Sequence, residues 1–266
     1  MSMSTSMRTK NSGNSRSRLS GLSGLKRLAL GFATMALVLA CGTSTAFAVD
    51  GVVLIDQNRA LAGNVTPGDA PGFPVTLSQP GSYRLSGNLT VPHNSDGILI
   101  ATDHVTLDLN GFTIAGGGNK NGVFNGFVGR LGTVVRNGTV TNFDNGVFLK
   151  ENDGDLASSE IQQIKALKNL ALGILAGANS IVVGNTAIGN DFFGIGAGTH
   201  SIVRDNISTG NSTGLTLVGN VVASGNNAFG NSFAGIVTAC PSVLIGNAFV
   251  GLVVQDGVGC FFDPLP

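Results

Sequence analysis

The chain has 266 residues, a formal net charge of zero, 40 glycines, one tyrosine, no tryptophan and only 11% charged residues. Soluble proteins usually carry about 25% charged residues, so this composition excludes helical bundles and coiled coils with charged surfaces. The hydrophobic share of 42% also excludes a disordered low-complexity chain, since the sequence can bury a core.

The first element in chain order is an export signal, predicted over residues 1–48. Six basic and no acidic residues lie between Met1 and Arg27, and an apolar run follows from Leu28 to Ala40. This run is too short to cross a bilayer, which needs about 20 helical residues, and Ala46-Phe47-Ala48 is typical of a cleavage site. A lipoprotein-like box ending at Cys41 is the alternative, but Leu39 fits that box poorly.

The chain after the predicted cleavage carries nine basic and fifteen acidic residues, a net charge of −6. This balance gives no electrostatic basis for binding nucleic acid or an anionic membrane. We therefore expect an extracytoplasmic protein, secreted or periplasmic, with no nucleic-acid partner and no membrane span. Residues 49–92 are rich in proline and lack the repeat described next, which predicts an N-terminal cap followed by a repeat domain over residues 93–266.

An internal repeat of about 20 residues marks the rest of the chain. Glycine followed by an aliphatic residue recurs at Gly97-Ile98, Gly122-Val123, Gly146-Val147, Gly173-Ile174, Gly194-Ile195, Gly214-Leu215, Gly235-Ile236 and Gly251-Leu252. Asparagines follow the later glycines of this series at two fixed offsets. They are Asn185, Asn206, Asn226 and Asn247 at the shorter offset, and Asn190, Asn211 and Asn231 at the longer one. Two fixed polar offsets indicate stacked structural units rather than unrelated hairpins.

Within the repeats, apolar and polar residues alternate, as in Val105-Thr106-Leu107-Asp108-Leu109, and this period of two predicts short half-buried strands. We expect the asparagines to form ladders at corners, because they tolerate left-handed backbone and can hydrogen-bond to equivalent amides in adjacent repeats. We expect Phe192, Phe233 and Phe249, each two residues before a repeat glycine, to form an interior stack rather than a sugar-binding platform.

The region from about Gly97 to Gly251 resembles the right-handed parallel β-helix repeat proteins of the pectate-lyase-like superfamily. The stretch from Pro80 to Val91, then Gly97-Ile98-Leu99-Ile100 and Asn110-Gly111-Phe112-Thr113-Ile114, is similar to the entry into that fold in its secreted and periplasmic members. The expected fold is an all-β solenoid of about eight coils with an N-terminal cap. The resemblance implies no single activity, because the same fold carries lyases, hydrolases, epimerases, adhesins and proteins without chemistry.

The enzymes of that superfamily set a pattern against which the charged residues can be compared. Lyases there need a cation-binding carboxylate cluster and a basic residue, and hydrolases need two or three close aspartates. The repeats contain no adjacent aspartate pair, and charge is concentrated between Gly122 and Gly173, where Asp144 and Asp153 beside Arg136 are the residues to test. Glu151-Asn152-Asp153-Gly154-Asp155 could offer oxygens to Ca²⁺, but its spacing matches no calcium loop.

The remaining candidates are single residues that ordinary structure explains. His93, His104 and His200 have no partner by spacing, and Asp108 is explained as an outward residue of a strand end beside Asn110. The sequence therefore assigns no catalytic residue, no metal ligand and no cofactor. Cys240 and Cys260 both lie near the C-terminus of a chain expected to be exported, so we expect them to form a disulfide.

Two functional hypotheses remain. The favoured one is a non-catalytic scaffold or carbohydrate-binding module whose partner is a polysaccharide or a cell-envelope component. The alternative is a polysaccharide lyase or hydrolase that acts on an acidic polysaccharide. The absence of tryptophan and the single tyrosine point to little aromatic surface for sugar stacking.

Overall fold

The structure is a computed structural model that describes residues 51–150, 157–255 and 259–263. Helix α1 (Gln57–Ala62) begins after Asp56, whose carboxylate accepts a hydrogen bond from the Arg59 backbone N–H. The first strands are β1 (Val53–Ile55), β2 (Val75–Leu77), β3 (Gly81–Leu85), β4 (Leu89–Thr90), β5 (Ile98–Ile100), β6 (Val105–Asp108), β7 (Thr113–Ala115), β8 (Asn121–Phe124), β9 (Thr133–Thr141), β10 (Asn145–Leu149), β11 (Ser159–Leu167) and β12 (Leu172–Ala176). The later strands are β13 (Ile181–Val183), β14 (Thr186–Ile188), β15 (Phe193–Ala197), β16 (Ile202–Arg204), β17 (Ile207–Thr209), β18 (Thr213–Leu217), β19 (Val222–Ser224), β20 (Asn227–Ala228), β21 (Ala234–Ala239), β22 (Val243–Ile245), β23 (Ala248–Phe249), β24 (Leu252–Gln255) and β25 (Phe261–Phe262).

The strands form two parallel sheets. A nine-stranded sheet has the order β2-β5-β8-β10-β12-β15-β18-β21-β24, and a sixteen-stranded sheet follows the path β1-β3-β6-β9-β11-β13-β16-β19-β22-β25. The long strands β9 and β11 also pair with β7 and β14, so the sixteen-stranded sheet contains a second stack of short strands. Each repeat therefore contributes to the nine-stranded sheet and to both stacks of the sixteen-stranded sheet before the next repeat begins. This all-β, parallel arrangement is consistent with the expected parallel β-helix.

The repeat glycines and their aliphatic neighbours lie in the nine-stranded sheet. Val147, Ile174 and Ile195 occupy the same register position on successive strands and are fully buried. A Cβ atom on Gly173 would lie 2.5 Å from the Gly194 carbonyl oxygen, and one on Gly146 would lie equally close to the Gly173 carbonyl. The glycine recurs because the backbone of the next repeat leaves no room for a side chain.

The segment predicted as a cap is more regular than its proline content indicated. It contains α1 and the strands β1 to β4, and those strands pair with both sheets; β2, for example, aligns Val75 with Ile98. Its buried carboxylate, Asp69, accepts hydrogen bonds from the backbone N–H groups of Val65 and Thr76. The domain boundary at residue 92 stays a prediction.

The predicted asparagine ladders are confirmed. Asn185 Nδ2 donates to Asn206 Oδ1 at 3.0 Å, and the same bond continues to Asn226 and Asn247 at 2.8 Å each. A second ladder joins Asn190 and its equivalents at the other offset, and it begins one repeat earlier at Asn169. All of these asparagines except Asn231 are buried. The amides thus satisfy one another inside the corners, where water cannot reach them.

Of the two reasons expected for asparagine at these corners, hydrogen bonding between amides is correct and left-handed backbone is wrong. The ladder asparagines do not have positive φ; the residue directly before each of them does. These left-handed residues are Lys168, Gly184, Gly189, Asp205, Gly210, Gly225, Gly230 and Gly246, with φ between 52° and 68°. One residue bends the chain and the next supplies the hydrogen bonds.

The predicted disulfide is present between Cys240 and Cys260, 20 residues apart. It joins the corner before β22 to the residue before β25, and these two strands pair with each other. In the described residues no helix is long and apolar enough to cross a membrane. The predicted export signal and Cys41 lie outside the described residues.

Candidate functional site

The outer face of the nine-stranded sheet carries a column of uncharged side chains. Parallel register aligns one outward position from each of eight successive strands. In order these residues are Leu99, Phe124, Phe148, Leu175, Gly196, Thr216, Val237 and Val253. Their neighbours along each strand, such as Ile195 and Ala197, are fully buried. A parallel sheet is normally covered on both faces, so this uncharged outer column marks a surface suited to a ligand.

Phe192 and Phe233 lie beside this column and are exposed, at 52% and 67% of their surface. The prediction of an interior phenylalanine stack is therefore wrong for both residues. Each lies four residues before a member of the outward column, Gly196 or Val237, and residues at an even spacing along an extended segment point to the same face. Phe249, the third member of the predicted stack, is partly buried and packs against the core.

A groove of about 430 Å³ opens between Phe192 and Phe233. Its lining consists of Phe192, Phe193, Ser212, Thr213, Thr216, Phe233, Val237 and Gln255. Phe192 stacks on Phe193 with ring centroids 4.0 Å apart and planes 21° apart, so the two rings form one wall. Phe233 forms the opposite wall, and Thr216 and Val237 of the outward column form the floor.

Ser212 occupies the same place in its repeat as the two exposed phenylalanines. The Thr213 backbone N–H donates to the Phe192 carbonyl, and the Phe233 N–H donates to the Ser212 carbonyl. These bonds place the three corners in successive layers, with the serine in the middle. The small side chain of Ser212 leaves the space between the phenyl rings open.

None of the described side chains that line the groove carries a charge. Its polar groups are the hydroxyls of Ser212, Thr213 and Thr216 and the amide of Gln255. Thr216 Oγ1 is buried and has no hydrogen-bond partner among the described residues.

A separate charged cluster lies on the sixteen-stranded sheet. Register places Arg84, Asp108 and Arg136 side by side on β3, β6 and β9. Asp108 Oδ2 lies 3.8 Å from Arg84 Nε and 3.4 Å from Arg136 Nε, and Oδ1 accepts hydrogen bonds from the Asn110 N–H and Asn137 Nδ2. The interpretation of Asp108 as a residue of a strand end beside Asn110 is confirmed. Its carboxylate accepts hydrogen bonds at the strand end and forms ion pairs with the two arginines.

The other candidates from the sequence are not assembled into one site. Asp144 lies at the corner before β10 of the nine-stranded sheet, whereas Arg136 is on the sixteen-stranded sheet. Asp153 and the whole Glu151–Asp155 segment lie outside the described residues. Within the described ranges no group of three His, Cys, Asp or Glu side chains is placed to hold a metal ion. His104 and His200 occupy left-handed corners.

One signal in the sequence could have revealed the aromatic groove. Phe192 and Phe233 each lie three residues before the aliphatic residue of their repeat, Ile195 or Ile236, and residues at an odd spacing along a strand point to opposite faces. The period of two therefore does not allow these phenylalanines to share the interior with the aliphatic residues. Comparisons with models of protein families, with curated proteins and with solved structures found no match to this chain.

Proposed function

We propose that the protein is an exported right-handed parallel β-helix of about eight coils, of the pectate-lyase-like type, that binds carbohydrate without catalysis. The site is the aromatic groove of the nine-stranded sheet. The observation that carries this proposal is the pair of exposed rings, Phe192 and Phe233, on either side of an uncharged groove with hydroxyl and amide groups. Carbohydrate sites combine such apolar faces with a few convergent polar groups.

Export is supported by the disulfide between Cys240 and Cys260. Disulfides persist in oxidising compartments and are rare in the cytosol. A polysaccharide outside the cytoplasm is then a partner that the protein would meet. The register of the parallel strands, one per repeat, supports the β-helix class.

The alternative function, cleavage of an acidic polysaccharide, needs a carboxylate beside a basic residue, and among the described residues Asp108 is the carboxylate that pairs with Arg136. Both oxygens of Asp108 are already engaged by arginine or asparagine groups. The cluster also lies on a different sheet from the groove. Binding at the groove is therefore the better-supported function.

Co-sedimentation with insoluble polysaccharides tests the proposal. The exported protein should sediment with at least one neutral polymer from a panel of cellulose, xylan, mannan and chitin, and the double variant Phe192→Ala/Phe233→Ala should remain in solution. Phe229→Ala is the matched control, because Phe229 is also exposed, at 44%, but does not line the groove. Equal sedimentation of wild type and double variant would overturn the assignment of the site, and failure to bind any polymer would overturn the function.

A further inference from the structure

We propose that the groove holds one neutral pyranose ring. The ring would lie over Ser212, between the wall formed by Phe192 and Phe193 on one side and Phe233 on the other. This inference rests on the proposed carbohydrate-binding function and specifies which sugar unit the site selects. It depends on the spacing of the repeats and on the chemistry of the lining.

The spacing fits one ring. Phe192, Ser212 and Phe233 lie in three successive layers joined by backbone hydrogen bonds. Parallel strands lie about 4.8 Å apart, so the two phenylalanine layers are roughly 10 Å apart with the serine layer between them. A ring in the serine layer can contact both walls at the usual distance of about 3.5–4.0 Å between carbon atoms. An aromatic side chain in place of Ser212 would fill the same space.

The size of the groove agrees with a single sugar unit and its substituents. Its volume of about 430 Å³ lies near the lower end of ligand sites, which span roughly 300–1,000 Å³. The walls close the groove along the stacking direction of the repeats. A polymer would therefore insert one unit and continue into solvent.

The chemistry fits a neutral sugar. A pyranose has two apolar C–H faces and a rim of hydroxyls, which match two phenyl walls and the hydroxyl and amide groups of the lining. The hydroxyl of Ser212 and the amide of Gln255 belong to the lining of the groove and can pair with hydroxyls of the rim. The described residues that line the groove include no cationic side chain, so the carboxylate of a uronic acid would lose water without gaining a charged partner.

Calorimetric titration of the exported protein with soluble trisaccharides tests the inference. The probes are cellotriose, xylotriose, mannotriose and chitotriose, with trigalacturonate as the acidic counterpart of equal length. We expect at least one neutral trisaccharide to bind more than tenfold tighter than trigalacturonate. Equal affinity for trigalacturonate would overturn the neutral selectivity.

Two variants test the position of the ring. Ser212→Phe should weaken binding more than tenfold, whereas Ser224→Phe should leave it unchanged, because Ser224 lies on the sixteen-stranded sheet. An affinity of Ser212→Phe equal to that of the wild type would overturn the proposed position of the ring in the groove.

A second substitution covers the case in which Ser212→Phe fails to fold, as judged by circular dichroism. Phe233→Leu keeps an apolar side chain and removes the ring, and it should weaken binding roughly twofold to tenfold; unchanged affinity would overturn the sandwich. These results distinguish a wrong position of the sugar ring from a wrong function. A protein that sediments with polysaccharide but shows none of these effects binds carbohydrate elsewhere on the sheet.

Discussion

At the scale of single residues, each corner of the repeat divides two tasks between neighbours. The left-handed residue, such as Gly184 or Asp205, turns the chain, and the following asparagine bridges two repeats. Asn206 shows the full set of bonds: its Oδ1 accepts from the backbone N–H and Nδ2 of Asn185, and its Nδ2 donates to the Val182 carbonyl and to Asn226 Oδ1. An apolar residue at this position would leave several buried groups unpaired.

We therefore predict that Asn206→Leu destabilises the protein by about 1–3 kcal/mol, the cost of buried unsatisfied groups. For a domain of this size, this corresponds to a fall in Tm of roughly 2–12 °C, measured by calorimetry. Asn227→Leu is the control, because Asn227 is exposed and its backbone N–H, rather than its side chain, bonds to Asn206. A Tm of Asn206→Leu equal to that of the control would show that the ladder adds no stability.

At the scale of elements, the sequence predicts the strands and ladders whose residues must recur in every repeat. It does not predict the groove, whose residues are free to vary between repeats. The strands of the nine-stranded sheet follow the glycine–aliphatic pairs, because every layer imposes the same close backbone approach. The ladders follow from the fixed offsets for the same reason. The groove follows no such rule, since Phe192, Ser212 and Phe233 differ at equivalent positions and their side chains point away from the shared interior.

The same contrast explains why the sequence did not predict the charged cluster. Arg84, Asp108 and Arg136 are distant in the chain and meet because strand register aligns them. The uneven repeat lengths in this part of the chain hide that register from spacing arguments. Sequence reasoning therefore predicted the all-β repeat architecture and the pairing of the cysteines, but neither the ion-pair cluster nor the exposed aromatic walls.

Replacement of the repeat glycine by alanine is predicted to lower the free energy of unfolding. In Gly173→Ala the new Cβ would lie 2.5 Å from the Gly194 carbonyl oxygen and 2.8 Å from Asn190 Nδ2, so adjacent strands would have to separate. We expect a loss of about 1–3 kcal/mol, as in other overpacked sites, measured by chemical denaturation. In the control Gly87→Ala, the nearest atom is 3.8 Å away, and the stability should be unchanged or higher by up to about 1 kcal/mol. Equal stability of the two variants would contradict the close-approach explanation.

At the scale of the whole molecule, stability is expected to be local, because each repeat contacts mainly the repeats next to it. The buried aliphatic column of the nine-stranded sheet ends at Leu252, which is 37% exposed, and Phe261 and Phe262 on β25 are exposed as well. This end of the described chain has little apolar burial of its own. The disulfide between Cys240 and Cys260 holds β25 against β22 there.

Removal of the disulfide should therefore loosen one end and leave the middle intact. A bond that closes a loop of this length stabilises a protein by about 3 kcal/mol in the chain-entropy model. In the double variant Cys240→Ser/Cys260→Ser, amide hydrogen exchange should accelerate in β22, β24 and β25, while β12 and β15 keep their protection. The untreated wild type, denatured without reductant, should show no free thiol from these two cysteines. Uniform loss of protection in every strand would instead mean that the repeats unfold as one cooperative unit, and unchanged protection would mean that strand pairing alone holds the end closed.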